Sequence, residues 1–218
     1  MSDPTPKRLR KTKQPCQVCG LHQERCICSM IPRLDLATRL TLVVHAKELK
    51  RTTNSGRLAV AALLNSGMRV RGLVDQPLSL GKLLRAEESA LLFYPSEDAI
   101  ELTSEFVKIL KNPIHLIVPD GSWRQASKVH TREPELKDVV RVKMTSTNSA
   151  RHHLRREHRP EGMSTLEAVA RAMAIIEGPQ VGDALLALYQ AKLKQTLVGR
   201  GVKLPIPESG ALGSDLIP

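Results

Sequence analysis

The chain has 218 residues, 41% hydrophobic and 25% charged, which suits one sizeable globular domain with room for a small module. Its 33 Lys and Arg against 22 Asp and Glu give a formal charge of +11, favouring a polyanionic partner, nucleic acid before an anionic membrane surface. No apolar run approaches the roughly 20 residues that span a bilayer, and the basic start "MSDPTPKRLRKTKQP" has no apolar segment behind it, so neither a membrane span nor a secretory signal is expected and a cytoplasmic location is.

Residues 1–14 read as a basic flexible tail carrying Lys7, Arg8, Arg10, Lys11 and Lys13. All four cysteines follow within 15–34, in "CQVCGLHQERCIC": Cys16, Cys19, Cys26 and Cys28, spaced C-x2-C-x6-C-x-C. Thiolates this close can converge on one tetrahedral Zn2+, with Gly20 standing where such a knuckle needs positive φ. His22 is an alternative ligand, but four sulfurs already complete the shell, so the metal is expected to be structural. Disulfide pairing is the competing reading, which a reducing cytosol disfavours.

From residue 35 the chain alternates as an α/β domain does. "RLTLVVH" (39–45) reads as a strand, "GRLAVAALLNSG" (56–67) as a helix ending at glycine, "RVRGLV" (69–74) as a short strand and "LGKLLRAEE" (80–88) as a helix. "ALLFYP" (90–95) is a strand stopped by proline, and "TSEFVKILKN" (103–112) a capped helix ended by Pro113. "IHLIVPDGS" is the next strand, "SWRQASKVH" a helix with Ser122 as its cap, and "DVVRVKM" (138–144) the last strand. After the basic run "RHHLRREHR" (151–159), "STLEAVARAMAIIEG" (164–178) has a capping-box pattern in Ser164 and Glu167. "VGDALLALYQAKLKQTLVG" closes the domain near residue 200, and 201–218, rich in Pro, Gly and Ser, reads as a second flexible tail.

Apolar strands between helices predict a largely parallel sheet with helices on both faces. Ligands then bind beyond the carboxyl ends of the strands. Three polar stretches begin there: "HAKELKRTTNSGR", "PSEDA" and "PDGSW". No Gly-rich dinucleotide or phosphate-loop motif accompanies them. Taken singly, each residue has an ordinary reading. Asp120 closes a turn, Trp123 packs in a core, His45 and Glu48 are surface or satisfied core groups, and Asn54, Ser55 and Gly56 cap a helix.

Taken in order, "CQVCGLHQERCIC", "HAKELKRTTNSGR", "LLFYPSEDA", "PDGSWRQA" and "RPEGMSTLEA" resemble the DTW-domain family over residues 16 to 178. Its bacterial members include a tRNA-uridine aminocarboxypropyltransferase. Asp120, Gly121, Ser122 and Trp123 stand for the family's D-G-T-W run with serine in place of threonine, which keeps the hydroxyl. Ala46 follows His45 where the family often has proline.

The resemblance implies a transferase domain over 35–200, SPOUT-like, with a knotted C-terminal half. It also implies transfer of the 3-amino-3-carboxypropyl group of S-adenosylmethionine to N3 of a tRNA uridine, releasing 5′-methylthioadenosine. Residue by residue, it implies catalytic work at Asp120, Ser122 and Trp123. Cofactor contacts are implied at Pro119, Gly121, Ser122, Ser164, Thr165 and Glu167. Substrate contacts are implied at His45, Glu48, Asn54, Arg57, Arg151, Arg155, Arg156 and Arg159. The expected partners are tRNA and S-adenosylmethionine, with no membrane and no obligate protein partner. An RNA methyltransferase using the same cofactor and a non-catalytic zinc-containing RNA-binding module are the alternatives.

Overall fold

Apolar runs long enough to be covered on both sides organise this chain. The computed structural model describes residues 14–73, 75, 78, 80, 83–110, 113–144, 154 and 162–202. Its strands are β1 Arg39–His45, β2 Ser66–Arg71, β3 Ser89–Phe93, β4 Ile100–Glu101, β5 Ile114–Asp120 and β6 Val140–Lys143. They form one sheet in the order β2-β1-β5-β3-β6-β4, every neighbouring pair parallel. Parallel neighbours need crossovers. These contain α1 Ala46–Leu49, α2 Gly56–Ala62, α3 Ser104–Lys108, α4 Trp123–Ala126 and α5 Val129–Arg132, and the longer α6 Thr165–Ile176 and α7 Pro179–Gly199 follow β6.

Alternation along each strand splits the core in two. Leu40, Leu42, Val44, Leu91, Leu116 and Val118 face the larger half, against residues of α2, α6 and α7. Val43, Leu92 and Ile117, one step out of phase, face a smaller half with Leu80, Leu83, Val129 and Leu136. Cys19, Leu21 and Ile27 of the cysteine segment belong to the larger half, so the knuckle shares the domain's core. Among the described residues no helix is long and apolar enough to cross a membrane.

Some expected boundaries move, each for a tertiary reason. The helix expected over 56–67 stops at Ala62 because the Ala62 carbonyl accepts from Leu34 N–H (2.9 Å) and Ser66 Oγ donates to Leu63 O (2.6 Å). The next strand therefore starts at Ser66, and Gly72, at φ 81°, lies just past its end. The described residues of 80–88 make turns in place of the expected helix, with Leu80 and Leu83 buried in the smaller core and Glu88 drawn to Arg39. The helix expected over 103–112 closes at Lys108. The helix expected after Ser122 divides into α4 and α5. β4 escaped sequence reading because two exposed residues carry no period. The expected knotted C-terminal half involves a stretch, 145–161, of which only Leu154 is among the described residues, and the tails 1–13 and 203–218 also lie outside them.

At the amino ends of β1 and β5, Arg39, Glu88 and His115 form a buried polar cluster. Arg39 Nη2 donates to His115 Nδ1 (2.9 Å), so His115 Nε2 carries the proton that goes to Thr41 Oγ1 (2.8 Å). A second proton on His115 would meet the Arg39 donor. Burial first, then the Arg39 charge, pushes the His115 pKa down to about 4, and the Arg39 hydrogen bond holds Glu88 below its ordinary value. As pH falls, the unfolded chain therefore takes up protons before the folded one does. The stabilisation is complete above the unfolded histidine pKa and is lost as pH drops toward 4, with Glu88 adding to the loss below the glutamate range. The urea midpoint should fall between pH 7 and 4.5, with His115 contributing up to about 3 kcal/mol. His115→Gln should flatten that slope; an unchanged slope would assign the effect elsewhere.

Candidate active site

Asp120 ends the central strand β5 beside Val44 of β1 and is only 7% exposed. Its Oδ2 accepts from Asn54 Nδ2 and its Oδ1 from Thr165 Oγ1, both at 2.5 Å. One carboxylate is thus fixed in plane by the loop before α2 and by the first residue of α6. Asn54 is itself held, its Oδ1 accepting from Arg57 N–H at 3.2 Å, while Ser55 Oγ accepts from Leu166 N–H at 3.1 Å. Gly56 permits this convergence, since a Cβ there would lie 2.8 Å from Leu42 Cδ2 and 3.1 Å from Asp120 Oδ2. Ser164 caps α6, its Oγ accepting from Glu167 N–H at 3.3 Å.

A cavity of about 410 Å3 opens beside Asp120. Pro119, Gly121, Ser122, Trp123, Ser164 and Thr165 line it, which brings six of the expected site residues together with the acid. Trp123, half-buried, meets Tyr94 edge-on with ring centroids 6.1 Å apart. Phe93, Val118, Met144 and Leu154 supply apolar wall, and Arg51 and Lys143 bring cationic side chains. Sequence reading missed Arg51, Thr53, Tyr94, Lys143 and Met163. The first two lie within "HAKELKRTTNSGR" and Tyr94 within "ALLFYP", so position at a strand end was the available signal.

Other expected site residues go elsewhere. His45 caps α1 by accepting from Lys47 N–H (3.2 Å) and lines a separate depression of about 540 Å3 with Arg71, Leu78, Arg132 and Glu133. Its pKa is lowered, by burial first and then by Arg71. Glu48 is buried and pairs with Arg51 Nε at 3.2 Å. The Arg57 guanidinium bonds the carbonyls of Leu49 (2.6 Å) and Gln17 (3.3 Å), joining α1 to the knuckle. Glu167 does not line the cavity and bonds Arg171 at 2.9 Å. The Ser122 amide donates to Gln125 Oε1 at 2.8 Å, and α4 has only four residues to build a dipole. Arg151, Arg155, Arg156 and Arg159 lie outside the described residues.

The four cysteines form a second constellation. Their sulfurs all lie within 4.8 Å of one another, with Cys16–Cys28 at 3.5 Å and Cys19–Cys26 and Cys16–Cys26 at 3.7 Å. Zn–S bonds of about 2.3 Å in a tetrahedron place sulfurs about 3.8 Å apart. The spacing fits a Zn2+ bound by four thiolates, and His22 is outside the group. Gly20 has φ 70° as expected, and a Cβ there would sit 2.8 Å from Thr52 O. Lys192 of α7, wholly buried, donates to Thr52 O (2.8 Å) and to Cys19 O; burial pushes its pKa down to about 8. The knuckle is therefore tied to the loop that delivers Asn54 to Asp120.

The family model of the DTW domain matches residues 13–197. Three similar proteins are each named tRNA-uridine aminocarboxypropyltransferase 2 and are 26% identical to this chain. The one from Macaca fascicularis aligns with 85% of this chain, that from Drosophila melanogaster with 90% and that from Mus musculus with 74%. The matched region spans 64%, 74% and 56% of those relatives' own lengths, respectively. A solved SAM-dependent rRNA acp-transferase from Vulcanisaeta distributa is 18% identical, with a TM-score of 0.46 over 75% of this chain and 79% of that one.

Proposed function

This chain belongs to the DTW domain family, and on that footing we propose that it transfers the 3-amino-3-carboxypropyl group of S-adenosylmethionine to N3 of a tRNA uridine. The observation that carries the reading is the oriented, nearly buried carboxylate of Asp120 at the wall of a cavity that also holds Trp123. The volume lies within the roughly 300–1,000 Å3 of small-molecule sites. Apolar wall for an adenosine, cations at Arg51 and Lys143 for a carboxylate and an aromatic pair for stacking are all present.

In this reading Asp120 takes the N3 proton as the N3–C bond forms and the C–S bond breaks, and the electron pair stays on sulfur in 5′-methylthioadenosine. All three carbons on a sulfonium are electrophilic, so the pose selects the product: the methionine-chain carbon must stand about 3 Å from N3, in line with sulfur. Trp123 and Tyr94 hold the base or the adenine by their ring faces. Thr165 and Asn54 act through Asp120, and Ser122 and Ser164 contribute cavity hydroxyls. The cysteine knuckle holds a structural zinc, and the basic run at 151–159 meets tRNA phosphate. A cytoplasmic enzyme without an obligate protein partner accords with this reading.

Incubation with S-adenosylmethionine and unmodified tRNA, followed by nucleoside mass spectrometry, tests the proposal. An aminocarboxypropyl-uridine with equimolar methylthioadenosine is expected. S-adenosylhomocysteine in its place would make the protein a methyltransferase, and no adduct with no cofactor binding would leave an RNA-binding module.

A further inference from the structure

Arg124, Lys128 and Arg132 recur every four residues along α4 and α5. Ser127 and Lys128, at the junction, keep right-handed helical dihedrals, so the three cations share one side of the segment. Each step of four residues advances about 6 Å, comparable to the separation of successive phosphates in an A-form strand. Like charges at this spacing repel one another, and among the described residues none of the three makes an ion pair. Glu133, the acid next in line, is committed to Arg71 Nε at 2.6 Å. Glu135, exposed, faces the depression that Arg132 also lines. The Arg132 and Arg124 charges hold the Lys128 ammonium below its ordinary range, which fits close crowding.

The row is anchored and well placed. Arg71, at the end of β2, also donates to Gln125 O (3.4 Å) and Lys128 O (3.5 Å), fastening the α4–α5 segment to the sheet. Trp123 and Ala126 of α4 line the Asp120 cavity, while Arg132 lines the depression that holds His45. The ridge therefore runs from one concavity to the other along the segment that carries the indole.

We propose that Arg124, Lys128 and Arg132 form a phosphate-contacting ridge that lays a tRNA strand across the mouth of the Asp120 cavity. The proposal rests on the tRNA reading above and adds a surface that the sequence motifs did not indicate. Contacts of this kind fix the register of a strand and carry no base specificity.

The test is tRNA binding by the purified full chain across a salt series, comparing wild type with the triple variant R124Q/K128Q/R132Q. The triple variant should bind tRNA about 10- to 100-fold more weakly, and the slope of log K against log salt should shrink by about 2 to 3. Trp123 fluorescence should report unchanged S-adenosylmethionine binding in the variant, separating ridge loss from misfolding. The charge-keeping variant R124K/R132K should retain most of the slope. A wild-type chain that binds no tRNA would sink the functional reading and the ridge together. Wild-type tRNA binding with an unchanged slope in the triple variant would overturn the ridge alone. So would loss of binding only to phosphatidylserine-containing vesicles, or a lysine variant as impaired as the glutamine one.

Discussion

Asp120→Asn should fold and bind S-adenosylmethionine yet lose tRNA modification by about 10²- to 10⁴-fold, the range for a removed general base. The fold survives because the site can re-pair. The new amide oxygen accepts from Asn54 Nδ2, which now reaches Asp120 Oδ2, and the new amide nitrogen donates to the Thr165 hydroxyl, which turns from donor to acceptor. The stability cost is about 1 kcal/mol, the ordinary worth of one altered hydrogen bond. What the amide lacks is a basic oxygen to take the N3 proton. Product formation and a thermal melt, measured on the same preparation, read the two effects separately. Turnover within about threefold of wild type would remove Asp120 from proton transfer and leave it as a strut between β5, α6 and the loop before α2.

Cys19→Ser should be the most damaging single change to stability. The Cys19 side chain is wholly buried, in one core with Leu21, Ile27 and residues of α6 and α7. Wild-type protein should carry one equivalent of zinc by elemental analysis and the variant far less, because serine replaces a soft thiolate with a poor zinc ligand. Loss of the ion releases the knuckle and takes from the buried Lys192 ammonium its Cys19 O acceptor, leaving only Thr52 O. A penalty of roughly 3–5 kcal/mol corresponds to a fall of about 6–20 °C in Tm for a chain of this size. The knuckle abuts Thr52, so cofactor affinity should weaken as well. Zinc lost with a Tm within about 2 °C of wild type would refute a structural metal, and full zinc retained would remove Cys19 from its ligands.

Much of this architecture was legible because it rests on local pattern. β1 occupies the residues expected of it, since a strand buried on both faces shows as an unbroken apolar run. Ser164 and Ser122 cap the helices they were expected to cap. The cysteine spacing foretold the clustered sulfurs. The failures share one cause. The segment 80–88 has helical composition, yet Leu80 and Leu83 are needed under the sheet and Glu88 is needed by Arg39. The partners that Arg57 and Glu48 take in the fold, Leu49 O, Gln17 O and Arg51, were equally invisible in the sequence. Such competition between partners far apart in the chain leaves no local trace.

By itself, then, the order of residues determined a parallel α/β sheet, a four-sulfur knuckle and an acid, a hydroxyl and an indole at the end of β5. These depend on alternation, on the reach of a few residues and on where an apolar run stops. Only the tertiary structure decided that Asn54 and Thr165, 66 and 45 residues away from Asp120, would grip its carboxylate. The same is true of His45 facing a different concavity and of Lys192 bolting the knuckle to the site loop. Hydrogen bonds and burial act over a few ångströms of space, whatever the distance along the chain.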